Sequence, residues 1–262
     1  MIPIDLKGRK ALITGGNTGL GAAASLALAE AGADIAIAWR DAPEAAEEIA
    51  GAAAGFGVTA RTVHLADIAD EAEVARVFGW VDEEFGGIDI LVNNAGMDGP
   101  RAPVATIDPT DWRRVLEVDL VGAFHCAHHA VARMVNKGSG VIVNTTSVHE
   151  FIPWTGYSAY TSAKAGLGMF TRTLAQEVAD KGVRVVGIAP GAIRTPINRE
   201  VWSDPKGLAD LEAKIPMGRM GEPGEIGQVI AFLCCDLAGY ITGATIVVDG
   251  GMLLYPDFRH GG

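Results

Sequence analysis

Three side chains in the second half of the chain could together move a proton to or from a hydroxyl or carbonyl oxygen. Tyr160 follows Ser147 by thirteen residues and precedes Lys164 by four. Residues four apart share one face of a helix, so the Lys164 ammonium can lie near the Tyr160 phenol. A free tyrosine has a pKa of about 10, and a neighbouring positive charge lowers it. We therefore expect Tyr160 to act as a general acid or base, while Ser147 orients the substrate oxygen by a hydrogen bond.

A glycine-rich turn near the start of the chain could bind a phosphate group. Residues 14–21 read Thr-Gly-Gly-Asn-Thr-Gly-Leu-Gly, between an apolar run and an alanine-rich stretch. Glycines let backbone amides approach a pyrophosphate at the positive end of a helix, without side-chain clashes in the tight turn. The strand–turn–helix context predicts dinucleotide contacts from six residues, namely Gly15, Asn17, Thr18, Gly19, Leu20 and Gly21.

Neither motif is specific by itself, because tight turns and Tyr–Lys pairs also occur where they serve only structure. Their combination predicts hydride transfer between a nicotinamide cofactor and a hydroxyl or carbonyl substrate. A positively charged nicotinamide would add to the effect of Lys164 on the pKa of Tyr160. A dinucleotide-binding protein without catalysis is the competing interpretation, and the presence of Ser147, Tyr160 and Lys164 disfavours it.

Residues after the second and third predicted strands should contact the adenosine half of the cofactor. At the end of the second strand an acidic residue favours a free ribose 2′-hydroxyl, whereas an arginine favours a 2′-phosphate. Arg40 therefore favours NADP. Asp41 beside it would weaken a phosphate site, so the use of NAD stays open. The alternative interpretation of Arg40 is an ordinary solvated charge. Asp67, followed by Ile68, is either an acceptor for the adenine amino group or a helix N-cap, a position for which Asp70 competes.

The elements that must position these residues follow from an alternation of apolar runs with helical periodicity. Strands are predicted at 10–14, 34–38, 61–65, 88–92, 140–145, 183–189 and 244–248. Helices are predicted at about 20–31, 43–54, 70–85, 109–136, 157–180 and 223–236. This order predicts an α/β fold, a doubly wound seven-stranded parallel sheet with helices on both faces, as one Rossmann domain over 1–262.

One stretch of that domain, 194–216, follows the sixth predicted strand and has no clear periodicity. Long irregular segments in a compact domain are usually functional, and this one would overhang the edge of the sheet where ligands bind in open α/β folds. We therefore predict a substrate lid at 194–216, with a solvated pair of surface helices as the alternative.

Composition excludes several classes of partner. The chain has 32 acidic and 21 basic residues and a net charge of -11, so we expect neither nucleic acid nor membrane as a partner. No apolar run reaches the roughly 20 residues of a spanning helix, the opening residues lack the features of an export signal, and we expect a cytoplasmic protein. His125, His128 and His129 share a helix face, but no nearby carboxylate or cysteine completes a metal site, so no metal is expected.

The chain resembles the short-chain dehydrogenase/reductase family over nearly its whole length. The motifs that carry the resemblance stand in the family's order, namely the glycine turn, Asn93–Gly96, Ser147, Tyr160–Lys164 and Pro190–Thr195. The resemblance implies a homotetramer in which Tyr160 is the acid/base and Lys164 binds the nicotinamide ribose. It also implies further cofactor contacts from Asn94, Ala95, Gly96, Pro190, Gly191, Ile193 and Thr195. Many members carry an asparagine where this chain has Asp119; an aspartate could preserve their proton relay or pair with Lys164.

Within the family, residues 147–154 and 191–198 resemble the glucose 1-dehydrogenases. This resemblance implies oxidation of the anomeric C1 hydroxyl of an aldose such as D-glucose to the lactone. It places substrate contacts at Asp98, Ser147, His149 and Asn198, with Asp98 one methylene shorter than the glutamate those enzymes tend to have. The alternative is an NADPH-dependent carbonyl or ketoreductase that acts on a non-sugar substrate. Trp154 and Tyr157 either line the pocket or belong to the core.

Overall fold

Seven parallel strands form one sheet in the computed structural model, which describes residues 4–254 apart from the side chain of residue 200. The strands are β1 (Lys10–Thr14), β2 (Asp34–Trp39), β3 (Ala60–His64), β4 (Ile90–Asn93), β5 (Gly140–Thr145), β6 (Val183–Pro190) and β7 (Thr245–Val248). Their order across the sheet is β3-β2-β1-β4-β5-β6-β7, and every ladder is parallel. The predicted α/β fold with one doubly wound sheet is confirmed, and the strand ends differ from the predicted ones by at most two residues.

Nine α-helices lie between the strands of residues 4–254. They are α1 (Gly19–Glu30), α2 (Pro43–Ala54), α3 (Glu71–Phe85), α4 (Pro109–Leu116), α5 (Gly122–Lys137), α6 (Ser158–Val178), α7 (Arg199–Ser203), α8 (Pro205–Glu212) and α9 (Pro223–Cys234). Asp70 caps α3, because its side chain accepts a hydrogen bond from the Ala72 amide at 2.9 Å. Of the two acids that competed for this position, Asp70 is the N-cap, and Asp67 is left for the site.

The five inner strands are buried on both faces, so most of their side chains are apolar, whereas the edge strands β3 and β7 are only partly buried. Successive side chains point to opposite faces of a strand, and β1 shows the consequence. Ile13 packs into one core together with Leu28 of α1 and Ile230 of α9. Leu12, one residue earlier, packs into the other core together with Phe78 of α3. Two apolar cores therefore hold the helices on either side and leave only the strand ends open.

The single helix predicted at 109–136 is wrong in its middle. Residues Glu117–Val121 form a π-helical turn that separates α4 from α5. A π turn holds one more residue than an α turn and so changes which side chains face inward. Here it buries Asp119, whose carboxylate accepts a hydrogen bond from the Met97 amide at 2.8 Å. An apolar periodicity cannot reveal this turn, because the residue it turns inward is charged.

The expectation of an irregular segment at 194–216 is also wrong. A 3₁₀ turn at Pro196–Asn198 leads directly into α7 and then α8. Asp204 separates the two helices, since its carboxylate accepts hydrogen bonds from the first amides of α8 and Pro205 cannot continue α7. The helices are too short for their periodicity to stand out in the sequence. The weighed alternative, a pair of surface helices, describes this local structure.

Within residues 4–254, no helix is both long and apolar enough to cross a membrane. The same residues hold no cluster of three His, Cys, Asp or Glu side chains that could bind a metal ion.

Candidate active site

Two adjoining cavities open at the carboxyl ends of β1, β4, β5 and β6, where parallel strands leave backbone groups and loop side chains free. The larger has a volume of about 690 Å³ and the smaller about 220 Å³. Gly15, Thr18, Ala95 and Gly96 line both. Every residue predicted for the site lines one of the two cavities, except Gly21, which lies behind the glycine turn.

The three residues proposed for proton transfer meet at the floor of the larger cavity. Tyr160 and Lys164 lie one turn apart on α6, and the Lys164 Nζ is 5.4 Å from the centre of the Tyr160 ring. Ser147 lies two residues past the end of β5, lines the same cavity, and lowers the pKa of Tyr160 through a side-chain hydrogen bond. The Ser147 Oγ also accepts a hydrogen bond from the His149 amide at 3.1 Å, so its own proton can be donated to the Tyr160 oxygen or to a substrate oxygen.

Lys164 is held in place by two oxygen atoms from different parts of the chain. Its Nζ donates to the Thr145 carbonyl at 3.2 Å and lies 3.1 Å from the Asp119 Oδ2. Burial alone would lower the pKa of Lys164, but the charge of Asp119 and the nearby Tyr160 phenol together raise it above its ordinary value. Lys164 is therefore a charged ammonium that is buried and paired.

The pKa of Tyr160 differs in direction from the expectation. Burial raises the pKa of this phenol, and the opposing effects of the Lys164 charge and the Ser147 hydrogen bond are smaller. Asp98 and Asp119 raise the pKa further by their negative charge. The lowering expected from Lys164 is thus present but outweighed. The protein's own groups favour the neutral phenol, and the contribution of a bound cofactor would come in addition.

The glycine turn between β1 and α1 has the geometry that a pyrophosphate needs. Gly15 and Gly19 have φ of +61° and +53°, in the left-handed region that side chains rarely adopt. The Thr18 hydroxyl makes no capping hydrogen bond, so the first amides of α1 remain available to an anion from the cavity. The turn and the two connected cavities therefore fit a dinucleotide.

Two asparagines predicted as cofactor contacts use their side-chain amides to hold this turn. The Asn17 Nδ2 donates to the Asp41 carbonyl at 2.8 Å and thereby ties the turn to the end of β2. The Asn94 Nδ2 donates to the carbonyls of Thr14 and Gly15 at 3.1 and 3.3 Å. Both residues line a cavity, but their amides stabilise the backbone that would face the cofactor.

Charged residues line the smaller cavity in two ion pairs. Arg40 and Asp41 pair at 2.6 Å. Asp67 accepts a hydrogen bond from Arg114 at 2.8 Å and another from the Ala69 amide at 2.9 Å. The Arg114 guanidinium holds the pKa of Asp67 below its usual range. Sequence reasoning missed Arg114, because a charged residue on an exposed helix carries no signal of its distant partner.

The outer part of the larger cavity is walled mainly by apolar and aromatic side chains. Rings stack in series, with His149 and Trp154 centred 4.5 Å apart and Trp154 and Tyr157 centred 3.9 Å apart. Sequence reasoning did not identify the aliphatic walls, namely Met97, Ile152, Ile197, Val201, Leu211 and Met252. Trp154 and Tyr157 line the cavity, the first of the two interpretations weighed for them.

The polar groups predicted to bind a sugar are mostly engaged within the protein. The Asn198 side chain donates to the Ile193 carbonyl at 2.8 Å and accepts from the Thr195 amide at 3.1 Å. The His149 Nδ1 lies 3.2 Å from the Ile152 carbonyl. Asp98 lines the cavity and is half-buried; burial and then the charge of Asp119 raise its pKa. His149 and Asn198 thus both hydrogen-bond to other parts of the protein. The Asp98 carboxyl makes no hydrogen bond among the described residues.

Comparisons with known proteins extend over nearly the whole chain. A family described as enoyl-(acyl carrier protein) reductase matches residues 15–253. The chain is 42% identical to 3beta-hydroxysteroid dehydrogenase 1 from Eggerthella lenta, over 98% of each sequence. It is 36% identical to glucose 1-dehydrogenase 2 from Bacillus subtilis, over 97% of this chain and 98% of that one. The chain is 37% identical to a protein from Agrobacterium tumefaciens whose structure, described as a 2-deoxy-D-gluconate 3-dehydrogenase, was solved with bound NADP. The two structures match over 97% of this chain and 100% of that chain, with a TM-score of 0.89.

Proposed function

The chain belongs to the short-chain dehydrogenase/reductase family, and from this premise we propose that it interconverts a secondary alcohol and a ketone on an apolar ring, with NADP or NAD as cofactor. The observation that carries the proposal is the Ser147–Tyr160–Lys164 cluster at the floor of a cavity whose outer walls are apolar and aromatic. An aldose 1-dehydrogenase that oxidises D-glucose to its lactone is the second candidate.

Proton transfer in this proposal involves Tyr160 alone. A bound nicotinamide would accept the hydride, with both electrons of the broken C–H bond, from the alcohol carbon. Tyr160 as phenolate would take the hydroxyl proton, and the C–O single bond would become the carbonyl. Ser147 would donate a hydrogen bond to the same oxygen, and Lys164 would hold the cofactor ribose. In the opposite direction Tyr160 returns its proton to the carbonyl oxygen.

The walls of the cavity favour a ring with few hydroxyls over a sugar. Each hydroxyl of a pyranose needs a hydrogen-bond partner when it leaves water, and an unpaired one is costly. Asn198 is engaged with the backbone, so Asp98, His149 and Lys214 would have to supply most of these partners. The steroid dehydrogenase relative supports a ring alcohol. Asp98 and the glucose 1-dehydrogenase relative are the specific grounds for the second candidate.

A substrate-by-cofactor matrix tests the proposal, with cyclic secondary alcohols, their ketones, D-glucose and other aldoses, each with both cofactors. We expect kcat/KM for the best cyclic alcohol to exceed that for D-glucose by about tenfold or more, because unpaired sugar hydroxyls discriminate at least this strongly. A preference for D-glucose would replace the first candidate by the second. Failure to turn over either class would overturn both.

Arg40 and Asp41 are proposed to set the preference between the cofactors. Arg40→Ala should lower kcat/KM with NADP by about 10- to 100-fold and leave that with NAD nearly unchanged, because only NADP offers a 2′-phosphate to the guanidinium. Asp41→Asn should shift the preference towards NADP, since it releases Arg40 from its ion pair. Arg113→Ala, on the exposed side of α4, is the control. Equal losses with both cofactors in Arg40→Ala would contradict this assignment.

The segment 194–216 is proposed to act as the substrate lid. Six residues of this segment line the larger cavity, namely Pro196, Ile197, Asn198, Val201, Leu211 and Lys214. A homotetramer is likewise proposed, and large apolar side chains that are exposed on α5 and α6, Phe124 and Met169, support burial between subunits. Light scattering on the purified protein measures the assembly, and a monomeric mass would contradict it.

A further inference from the structure

A buried carboxylate, that of Asp119, lies at contact distance from the Lys164 ammonium beside the Tyr160 phenol. The Asp119 side chain has no exposed surface, and the Lys164 side chain is 6% exposed, while their charged atoms lie 3.1 Å apart. The other carboxylate oxygen of Asp119 accepts the Met97 amide at 2.8 Å. The backbone fixes this arrangement, because the π turn brings Asp119 inward and Gly96 approaches its carboxylate so closely that a Cβ would lie 3.0 Å from Oδ2.

Among the described residues 4–254, few other charged groups act on this pair or on the phenol. The segment after β4 contributes Asp98, whose carboxyl interacts with Lys164 and with Asp119. The segment after β5 contributes His149, whose ring centre lies 6.3 Å from that of Tyr160, and burial lowers the pKa of this imidazole, so it is neutral at physiological pH. Helix α6 contributes Lys164 and Tyr160 themselves.

Charges interact strongly at such a site because little water screens them. A lone ammonium beside a phenol would favour the phenolate, but an ammonium with a carboxylate at contact distance acts with less net charge. Burial raises the pKa of Asp119, while the Lys164 charge and the Met97 amide oppose that rise and favour the carboxylate. We propose that Asp119 is a positioning residue that acts through Lys164, offsetting part of the ammonium charge, so that the buried Tyr160 phenol stays protonated at neutral pH. Asp98 adds to this effect from the side of the substrate.

A protonated Tyr160 affects the two directions of the proposed reaction differently. The inference rests on the proposed function only in that a proton is exchanged at Tyr160. Reduction of a ketone needs the protonated phenol, so it should keep its rate to alkaline pH. Oxidation needs the phenolate, so kcat/KM for the alcohol should rise with pH through the neutral range. Burial raises the pKa of Tyr160, in agreement with these two expected pH dependences.

The test replaces Asp119 with asparagine, which has nearly the same shape and can still accept the Met97 amide. Removal of the negative charge favours the phenolate, so the acid limb of oxidative kcat/KM should move to lower pH by about one unit. Asp180→Asn is the matched control, because Asp180 also pairs with a lysine, Lys181 at 3.2 Å, but at an exposed site. An acid limb that stays in place in Asp119→Asn, or moves upward, would overturn the proposal.

A second measurement needs neither substrate nor turnover and therefore separates this proposal from the proposed function. The chain has four tyrosines, and the difference between the ultraviolet titrations of the wild type and Tyr160→Phe isolates Tyr160. We expect Tyr160 in the protein without cofactor to titrate at or above the usual tyrosine pKa of about 10, and about one unit lower in Asp119→Asn. If Asp119→Asn does not fold, the wild-type titration decides, because a Tyr160 that ionises near neutral pH would contradict the inference.

Discussion

Tyr160→Phe should lower kcat by about 10²- to 10⁴-fold while the affinity for the cofactor changes little, because proton transfer by a positioned side chain contributes a factor of this size. The substitution removes one oxygen atom and leaves the ring. That ring packs edge-on against Trp154, with centres 6.0 Å apart, and lies under the Lys164 ammonium. The packing of α6 and the cofactor cavities should therefore be preserved.

Tyr157→Phe is the matched control for this substitution. Tyr157 lines the same cavity and stacks on Trp154, whereas the Lys164 ammonium lies over the ring of Tyr160. Steady-state rates with the best substrate of the matrix and cofactor titration followed by fluorescence measure the two quantities. Near-normal turnover in Tyr160→Phe would remove the acid/base role, and a comparable loss in Tyr157→Phe would point to a general disturbance of the cavity.

Gly21→Ala should abolish tight cofactor binding, with the dissociation constant raised by about 100-fold or more. A Cβ at this position would lie 2.0 Å from the Gly15 carbonyl oxygen and 2.6 Å from the Asn94 Nδ2, distances at which atoms cannot remain. Either α1 or the glycine turn must move, and both present the amides proposed to face the pyrophosphate. Overpacking of this kind also costs about 1–3 kcal/mol of folding free energy.

The same chemical change at Gly51 provides the control. Gly51 lies on α2, and a Cβ there would meet nothing within 4 Å. Because alanine is the better helix former, Gly51→Ala should raise the free energy of unfolding by about 1 kcal/mol and leave cofactor affinity unchanged. Isothermal titration calorimetry and denaturant unfolding measure both effects. Wild-type affinity in Gly21→Ala would show that the cofactor does not depend on this turn.

Most elements of the fold are encoded by local patterns. Strands β1 and β5 and helix α2 begin and end at the predicted residues, because an apolar run or a proline at the first helical position acts within a few residues. The two failures share a cause. The π turn at Glu117–Val121 and the short helices of 196–212 owe their form to burial of Asp119 and to capping by Asp204, and these effects of single residues are weaker than a periodicity.

The site divides in a similar way. That Asn94 lies beside the glycine turn was predictable, because both follow the carboxyl ends of adjacent strands. Whether its amide would face the cofactor or the Gly15 carbonyl was not, because the choice depends on distances of a few tenths of an ångström. The same holds for Asn198, whose amide satisfies the backbone at the start of the turn that Asn198 ends.

The sequence by itself determined the order of strands and helices, the glycine turn and the spacing of Tyr160 and Lys164, since each is written in residues that are neighbours along the chain. Only the tertiary structure decided the electrostatic surroundings of the phenol. Asp119 and Lys164 come from different helical segments, and their pairing depends on the extra residue of a π turn and on a glycine that lets the carboxylate approach. The pKa of a buried group depends on every neighbouring group that replaces water around it. Those neighbours come together only once the chain has folded.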